Sequence, residues 1–203
     1  SRKPASTLLH LGPGLANGVS NLHNAKKAGS GIVNIVGEHA SYHIALDAPL
    51  PADIEGIAAP VSHWVRTSPS AETVAQDAAE AIAVASTAPG QVATLILPGD
   101  TAWNDATSAA DPIAAPARPQ VGDDTIEAAA RALGGNGKRL LLLGGQALTE
   151  ENVLRAAKIA AATGCDLLTE WSNARMERGA GRVAINRIPY VVERAVAVLD
   201  SYD

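Results

Sequence analysis

Phenylalanine is absent from the 203 residues, and aromatic residues make up only 3%. The interior is therefore expected to be built from Ala, Val, Leu and Ile. A single cysteine, Cys165, excludes an internal disulfide framework and a Cys-rich zinc site. It fits a reducing compartment, and we expect the cytoplasm. No apolar run reaches the roughly 18–20 uncharged residues that span a bilayer, so no membrane segment is expected. Sixteen Lys and Arg stand against 21 Asp and Glu, and no dense basic stripe is present. Nucleic acid is not an expected partner, because counterion release needs clustered cations. Ser1–Thr7 has charge but no apolar core, so it does not read as a secretory signal. No G-x-S-x-G elbow and no Walker-type Lys-Ser/Thr occurs, and no His lies near Cys165 in the sequence.

What is present is ordinary for a folded chain: 47% hydrophobic and 18% charged residues argue against global disorder. Thr7–Leu11 reads as a short buried strand ending in Gly12-Pro13-Gly14. Leu15–Ala28 has helical spacing, and Ile32–Val36 is a second buried strand closed by Gly37. Together they make a βαβ unit with a glycine-rich first turn. A short helix is expected near Asp53–Ala58 and a strand over Ser62–Thr67. A helix is expected from Ser68-Pro69 to about Ser86, and a strand over Val92–Leu97. Residues 104–122 hold Pro112, Pro116 and Pro119 without periodicity and read as a linker. Beyond it we expect a helix over Thr125–Leu133 and a strand over Arg139–Leu143. Next come a helix over Glu150–Thr163 capped by Thr149, a strand over Asp166–Thr169 and a last helix over Pro189–Leu199. This alternation predicts an α/β fold of two Rossmann-like parallel-sheet domains, residues 1–103 and 123–203, with helices on both sheet faces. The first begins on a central-type strand and the second stops on a helix, so both are expected to be partial domains.

Four groups of residues could carry chemistry. The Gly12-Pro13-Gly14-Leu15-Ala16-Asn17-Gly18 loop follows a strand and opens a helix, which places backbone amides at a ligand. It departs from the dinucleotide fingerprint at Asn17, and a plain tight turn explains the glycines equally well. Glu38 follows a strand end, on the side where open α/β sheets bind ligands, and its carboxylate could accept a proton or orient a ligand. His39 and His43 stand four apart, a spacing that suits a metal on a helix. The segment lacks helical periodicity and the H-E-x-x-H order, so no metal ligands are assigned. Gly144-Gly145 with Glu170 imitates a nucleotide turn and its ribose-binding acid, with the wrong glycine spacing.

The run LLHLGPGLANGVSNLHNAKKAGSGIVNIVGEHASYH resembles the second half of the pyrimidine-binding domain of thiamine diphosphate-dependent enzymes. It most resembles acetolactate synthase large-subunit-like proteins, relatives of acetohydroxyacid synthases and benzoylformate decarboxylase. DIEGIAAPVSHWVRTS and ATLILPGDTAWND keep the family order, and LLLLGG, AAATGCDLLTE and ARMERGAGRV resemble its central domain. The resemblance implies a 2-oxo acid decarboxylase or carboligase that uses thiamine diphosphate and magnesium, with FAD a further cofactor it admits. It implies a site between subunits of a homodimer or homotetramer that meet through the pyrimidine domain. Cofactor-binding positions carry over to Gly12, Pro13, Gly14 and Asn17, with Pro13 and Asn17 against the aminopyrimidine ring. Glu38 stands where the family's synthases often carry glutamine, and we assign it the catalytic position. A carboxylate there repels an anionic 2-oxo acid.

In the family, the glutamate that protonates the cofactor lies upstream of the GPG loop, and the magnesium and diphosphate motif lies in a further domain. Neither matches a residue here, so the chain alone is expected to be inactive and to bind no cofactor tightly. The readings left open are a piece or truncated relative of such an enzyme, a non-catalytic interaction protein derived from it, a separate pyrimidine-domain subunit, and a nucleotide-binding module.

Overall fold

The computed structural model describes residues 3–203. Ser1 and Arg2, where the N-terminal stretch Ser1–Thr7 begins, lie outside the described residues. The chain divides into two compact units, the first ending at Ala117 and the second running Arg118–Asp203.

The first unit runs β1 (Ala5–His10), α1 (Leu11–Lys27), β2 (Ile32–Glu38), α2 (Ser41–Ile44), α3 (Ile54–Ala58), a 3₁₀ turn at Ala59–Val61, β3 (Trp64–Thr67), α4 (Ala71–Ser86), β4 (Val92–Pro98) and α5 (Asp100–Trp103). All four strands are parallel, in the order β1-β2-β4-β3. β2 and β4 are central, and they read as apolar runs because both their faces are covered. On one face, Leu15 and Leu22 of α1 pack with Ile54, Ala58 and Val61 over Val36, Val92 and Ile96. On the other, Ala81 and Ala85 of α4 pack on Val33 and Ala93. Alanine on both sides of that second contact lets α4 lie close to the sheet without aromatic filling.

A polar chain crosses the sheet beneath α1. Thr7 Oγ1 donates to Asn34 Oδ1 (2.8 Å), and Asn34 Nδ2 donates to Thr94 Oγ1 (3.1 Å). Thr94 Oγ1 also lies 2.7 Å from Ser62 Oγ. Asn34 and Thr94 are fully buried, and these bonds meet the polar groups that burial strips of water.

The second unit runs α6 (Asp123–Gly134), β5 (Leu140–Leu143), a 3₁₀ turn at Gly145–Leu148, α7 (Glu150–Thr163), β6 (Asp166–Thr169), β7 (Asn186–Arg187) and α8 (Val192–Leu199). Its parallel sheet has the order β5-β6-β7. Leu143, Leu148, Val153, Ala156 and Ile185 form its core, while α6 and α8 carry no buried residue. Two covered faces were expected, and packing of that quality is found on the α7 side. Gly164 ends α7 in the left-handed conformation (φ 73°), its N–H donating to Ala160 O at 2.8 Å.

The mixed α/β architecture with two parallel sheets agrees with the expected fold class. Several local expectations need correction. Gly12-Pro13-Gly14 is not a loop but the first turn of α1, which follows β1 directly. Gly37 lies inside β2 rather than closing it. Pro69 precedes α4, and Ser70 takes its N-cap position. Thr149 is the N-cap residue of α7, but its side chain makes no capping bond. The last helix starts at Val192, because Pro189 and Tyr190 fall outside it, and β7 was not anticipated.

Candidate functional site at the sheet edge

The register of the first sheet brings three strand ends to one level. His10 pairs with Gly37, Gly37 with Leu97, and Glu38 with Pro98. Glu38 therefore ends β2 roughly one strand spacing, about 4.8 Å, from where β1 turns into α1. The turn into α1 is made at Leu11, whose φ is +57° although it is not glycine. A left-handed conformation at such a residue costs about 1–2 kcal/mol, and burial of the Leu11 side chain holds it there (3% exposed). Pro13 is tolerated next because the first-turn N–H groups of a helix have no intrahelical acceptor. No side chain caps this helix start.

The predicted site residues play different physical parts. Pro13 and Asn17 are exposed on the first turns of α1. Asn17 offers both a donor and an acceptor. Gly14 leaves ordinary room, since a Cβ there would stand 3.5 Å from His10 Cβ. Gly12 is buried, and a Cβ there would fall on Ala52 Cβ, so its smallness serves packing inside the fold. Gly18, named with the loop, was given no role of its own. A Cβ there would stand 2.8 Å from Leu9 Cδ1, so Gly18 lets α1 settle on β1. This is the helix–strand role of the third fingerprint glycine, displaced by one residue.

Glu38 is half-buried, and its Oε1 accepts from the His39 N–H at 2.6 Å. Its carbonyl accepts from Gly99 N–H at 3.0 Å. Asp100, also missed, ties the loops after β2 and β4 together. Its Oδ1 accepts from Ser41 N–H (2.8 Å) and from Ser41 Oγ (3.1 Å). The Ser41 amide bond holds the Asp100 carboxyl below the usual range. The available signal was Pro98-Gly99-Asp100 standing just past a strand end. The Trp103 ring lies on Gly99, 2.8 Å from a Cβ placed there. Trp103 (63% exposed) and Tyr42 (72%) leave this edge with an exposed apolar rim.

The edge of the second sheet does not build the imitated nucleotide turn. Gly144-Gly145 leads into a 3₁₀ turn rather than directly into an α-helix. Glu170 packs against Gly144, and its carboxylate accepts from Ser172 N–H. A carboxylate on the glycine turn repels phosphate, so this geometry does not favour the nucleotide-module reading. Among the described residues no group of three or more His, Cys, Asp or Glu could hold a metal ion. None of the described helices is long and apolar enough to cross a membrane.

The fold and edge are those of an α/β chain whose first unit presents a glycine- and proline-bearing helix start. Residues 1–59 match the family model for the thiamine pyrophosphate enzyme, N-terminal TPP binding domain. Over 198 residues, 98% of its length, the chain is 44% identical to a Mycobacterium tuberculosis protein provisionally named acetolactate synthase large subunit IlvX. It is thus related to thiamine diphosphate-dependent enzymes, as the sequence resemblance implied. Two solved structures share its fold. One, from Mycobacterium smegmatis, is provisionally described as a thiamin diphosphate-dependent enzyme, with a TM-score of 0.79 at 20% identity. The other is the Rhodococcus jostii RHA1 thiamine diphosphate-dependent 4-hydroxybenzoylformate decarboxylase, with a TM-score of 0.80 at 19% identity. Both matches cover 98% of this chain and 39% of the other. The chain spans 38% of the mycobacterial relative.

Proposed function

We propose that this chain supplies the aminopyrimidine-facing part of a thiamine diphosphate site in a 2-oxo acid decarboxylase or carboligase. The reading divides the chain into a pyrimidine-binding part over residues 1–103, a linker over 104–122 and a central-domain part over 123–203. The observation that carries it is the uncapped start of α1, with exposed Pro13 and Asn17, inside the segment that matches the family model. Pro13 gives a flat apolar contact for a ring, Asn17 a hydrogen-bonding amide, and Gly14 room for close approach. Glu38, one strand away, would exchange a proton with a ring nitrogen or orient it.

The ring end of the cofactor fits these residues, and its other end does not. No carboxylate cluster for magnesium occurs among the described residues, and Glu38 would repel a diphosphate. By the family resemblance the diphosphate and its magnesium would be held by a partner surface, in a homodimer or homotetramer meeting at this edge. The exposed Tyr42 and Trp103 support a covering partner. When bound, thiamine diphosphate supplies the carbanion chemistry, and this chain's residues orient the ring.

Amide NMR with thiamine diphosphate at millimolar concentration tests the reading. Shifts are expected at Gly12, Gly14, Asn17 and Glu38, reduced at least fivefold in Asn17→Ala. Calorimetry with magnesium present should detect no micromolar binding to the chain alone. Shifts that cluster elsewhere, or micromolar binding without a partner, would overturn it.

A further inference from the structure

His39 and His43 are explained neither by the fold nor by the proposed ring contact. Among the described residues, His39 Nε2 is buried and has no hydrogen-bond partner. A buried polar atom without a partner calls for a reason, and a bound ion is one. α2 supplies the helical turn that the sequence pattern did not reveal. It contains His43, with His39 two residues before its start. The two imidazole centroids stand 5.2 Å apart, with the rings tilted by 57°.

That spacing can be compared with a chelate. A metal–imidazole bond of about 2.0–2.1 Å puts each ring centroid about 3.2 Å from the ion. Two such rings at a tetrahedral angle then have centroids about 5.2 Å apart. Plain ring packing also allows this distance, but it leaves the buried nitrogen unexplained. The remaining histidines differ. His63 Nδ1 accepts from Val92 N–H at 3.0 Å, and His10 and His23 are exposed and, among the described residues, are not paired with another ring.

We propose that His39 and His43 form a two-histidine chelate for a divalent transition metal of the copper and zinc class. Imidazole nitrogen favours these ions over magnesium or calcium. No third His, Cys, Asp or Glu joins the pair among the described residues. Water or an external ligand fills the remaining positions, which makes the site an open one. Neither thiamine diphosphate nor magnesium enters it.

Copper(II) added alone to the full chain, in a weakly coordinating buffer, tests this. Calorimetry should give one site per chain. Electron paramagnetic resonance should show a mononuclear signal with hyperfine coupling to two imidazole nitrogens. His43→Ala should weaken binding at least tenfold and leave one coupled nitrogen, as should His39→Gln. The double variant His10→Ala, His23→Ala should bind as the unsubstituted chain does. The wild-type spectrum needs no variant, so it stands even if His39→Gln fails to fold. One coupled nitrogen in the wild type, no binding, unchanged affinity in His43→Ala, or loss of binding in the His10/His23 variant would overturn the assignment.

Discussion

Replacing Asp77 with alanine is expected to destabilise the first unit by about 2–3 kcal/mol. Asp77 lies within α4 and is 4% exposed. Its carboxylate accepts from Arg66 Nη1 at 2.8 Å and from Ser68 Oγ at 2.8 Å. A hydrogen bond to a charged group is worth roughly 1.5–3 kcal/mol, and stranding a buried hydroxyl costs roughly 1–3 kcal/mol. Ser68 is fully buried and would lose its acceptor. Arg66 suffers less, because its side chain is 39% exposed and it keeps Glu80 at 2.6 Å. The total therefore falls below the roughly 3–5 kcal/mol for breaking a fully buried pair. The effect should depend on pH. Burial alone would push the Asp77 carboxyl up, but hydrogen bonds from Arg66, Ser68 and Thr73 outweigh it and hold the group below the usual carboxylate range. Stability from a lowered folded pKa is present above the unfolded value of about 3.9 and drains away as pH falls through the folded one. The gap between wild type and Asp77→Ala should thus be full at pH 7 and pH 5 and shrink below about pH 4. Urea unfolding followed by tryptophan fluorescence measures it, with Trp103 and Trp171 replaced by phenylalanine. Trp64 then reports alone, and the Arg66 guanidinium lies 5.0 Å from its ring centroid. A gap under about 0.5 kcal/mol at pH 7 would refute the reasoning, since that is what an unremarkable surface change produces. A gap that persists unchanged to pH 3 would refute it as well.

Three further outcomes are expected. Gly12→Ala, which in an exposed helix would gain about 1 kcal/mol, should instead cost about 1–3 kcal/mol here. The new methyl group falls on Ala52, and calorimetric melting decides the sign. Asn34→Ala should destabilise by about 1–3 kcal/mol, read as a lower urea midpoint with an unchanged slope, because it removes both side-chain hydrogen bonds of a fully buried residue while Thr94 keeps Ser62. In the second unit, the hydrogen bond from Tyr202 Oη to Asp166 Oδ2 (2.9 Å) raises the tyrosine pKa above 10.0. Asp166→Ala should bring it back down, read as an earlier rise of phenolate absorbance on titration with base.

The residues behind these predictions show where sequence reasoning reached and where it stopped. The strands were legible because a parallel strand covered on both faces must be apolar along its length. VATLIL is such a run, buried throughout except at its last residue. Asn34 broke the pattern of its own strand without revealing why, since its partners lie 27 and 60 residues away. Asp77 sat in a helix among alanines, where an acid ordinarily marks the solvent side. Only folding brings Arg66 and Ser68 onto it.

The edge at the start of α1 divides in the same way. That Pro13 and Asn17 sit close together was legible because their spacing is local, and both are exposed on the first turns of α1. The helical state of Gly12-Pro13-Gly14 was not legible, because local chemistry makes glycine and proline turn formers. What overrides that preference is non-local: Ala52 leaves no room for a side chain at position 12, and at position 18 the Leu9 side chain would have to shift. Glu38 was placed correctly at a strand end, but its neighbours come from the far side of the fold. Asp100 reaches Ser41 across 59 residues of chain, and Gly99 binds the Glu38 carbonyl. Strand ends are therefore readable one at a time, whereas a site at a sheet edge is made of several strand ends. Pairing register alone decides which of them meet, and a single sequence does not contain it.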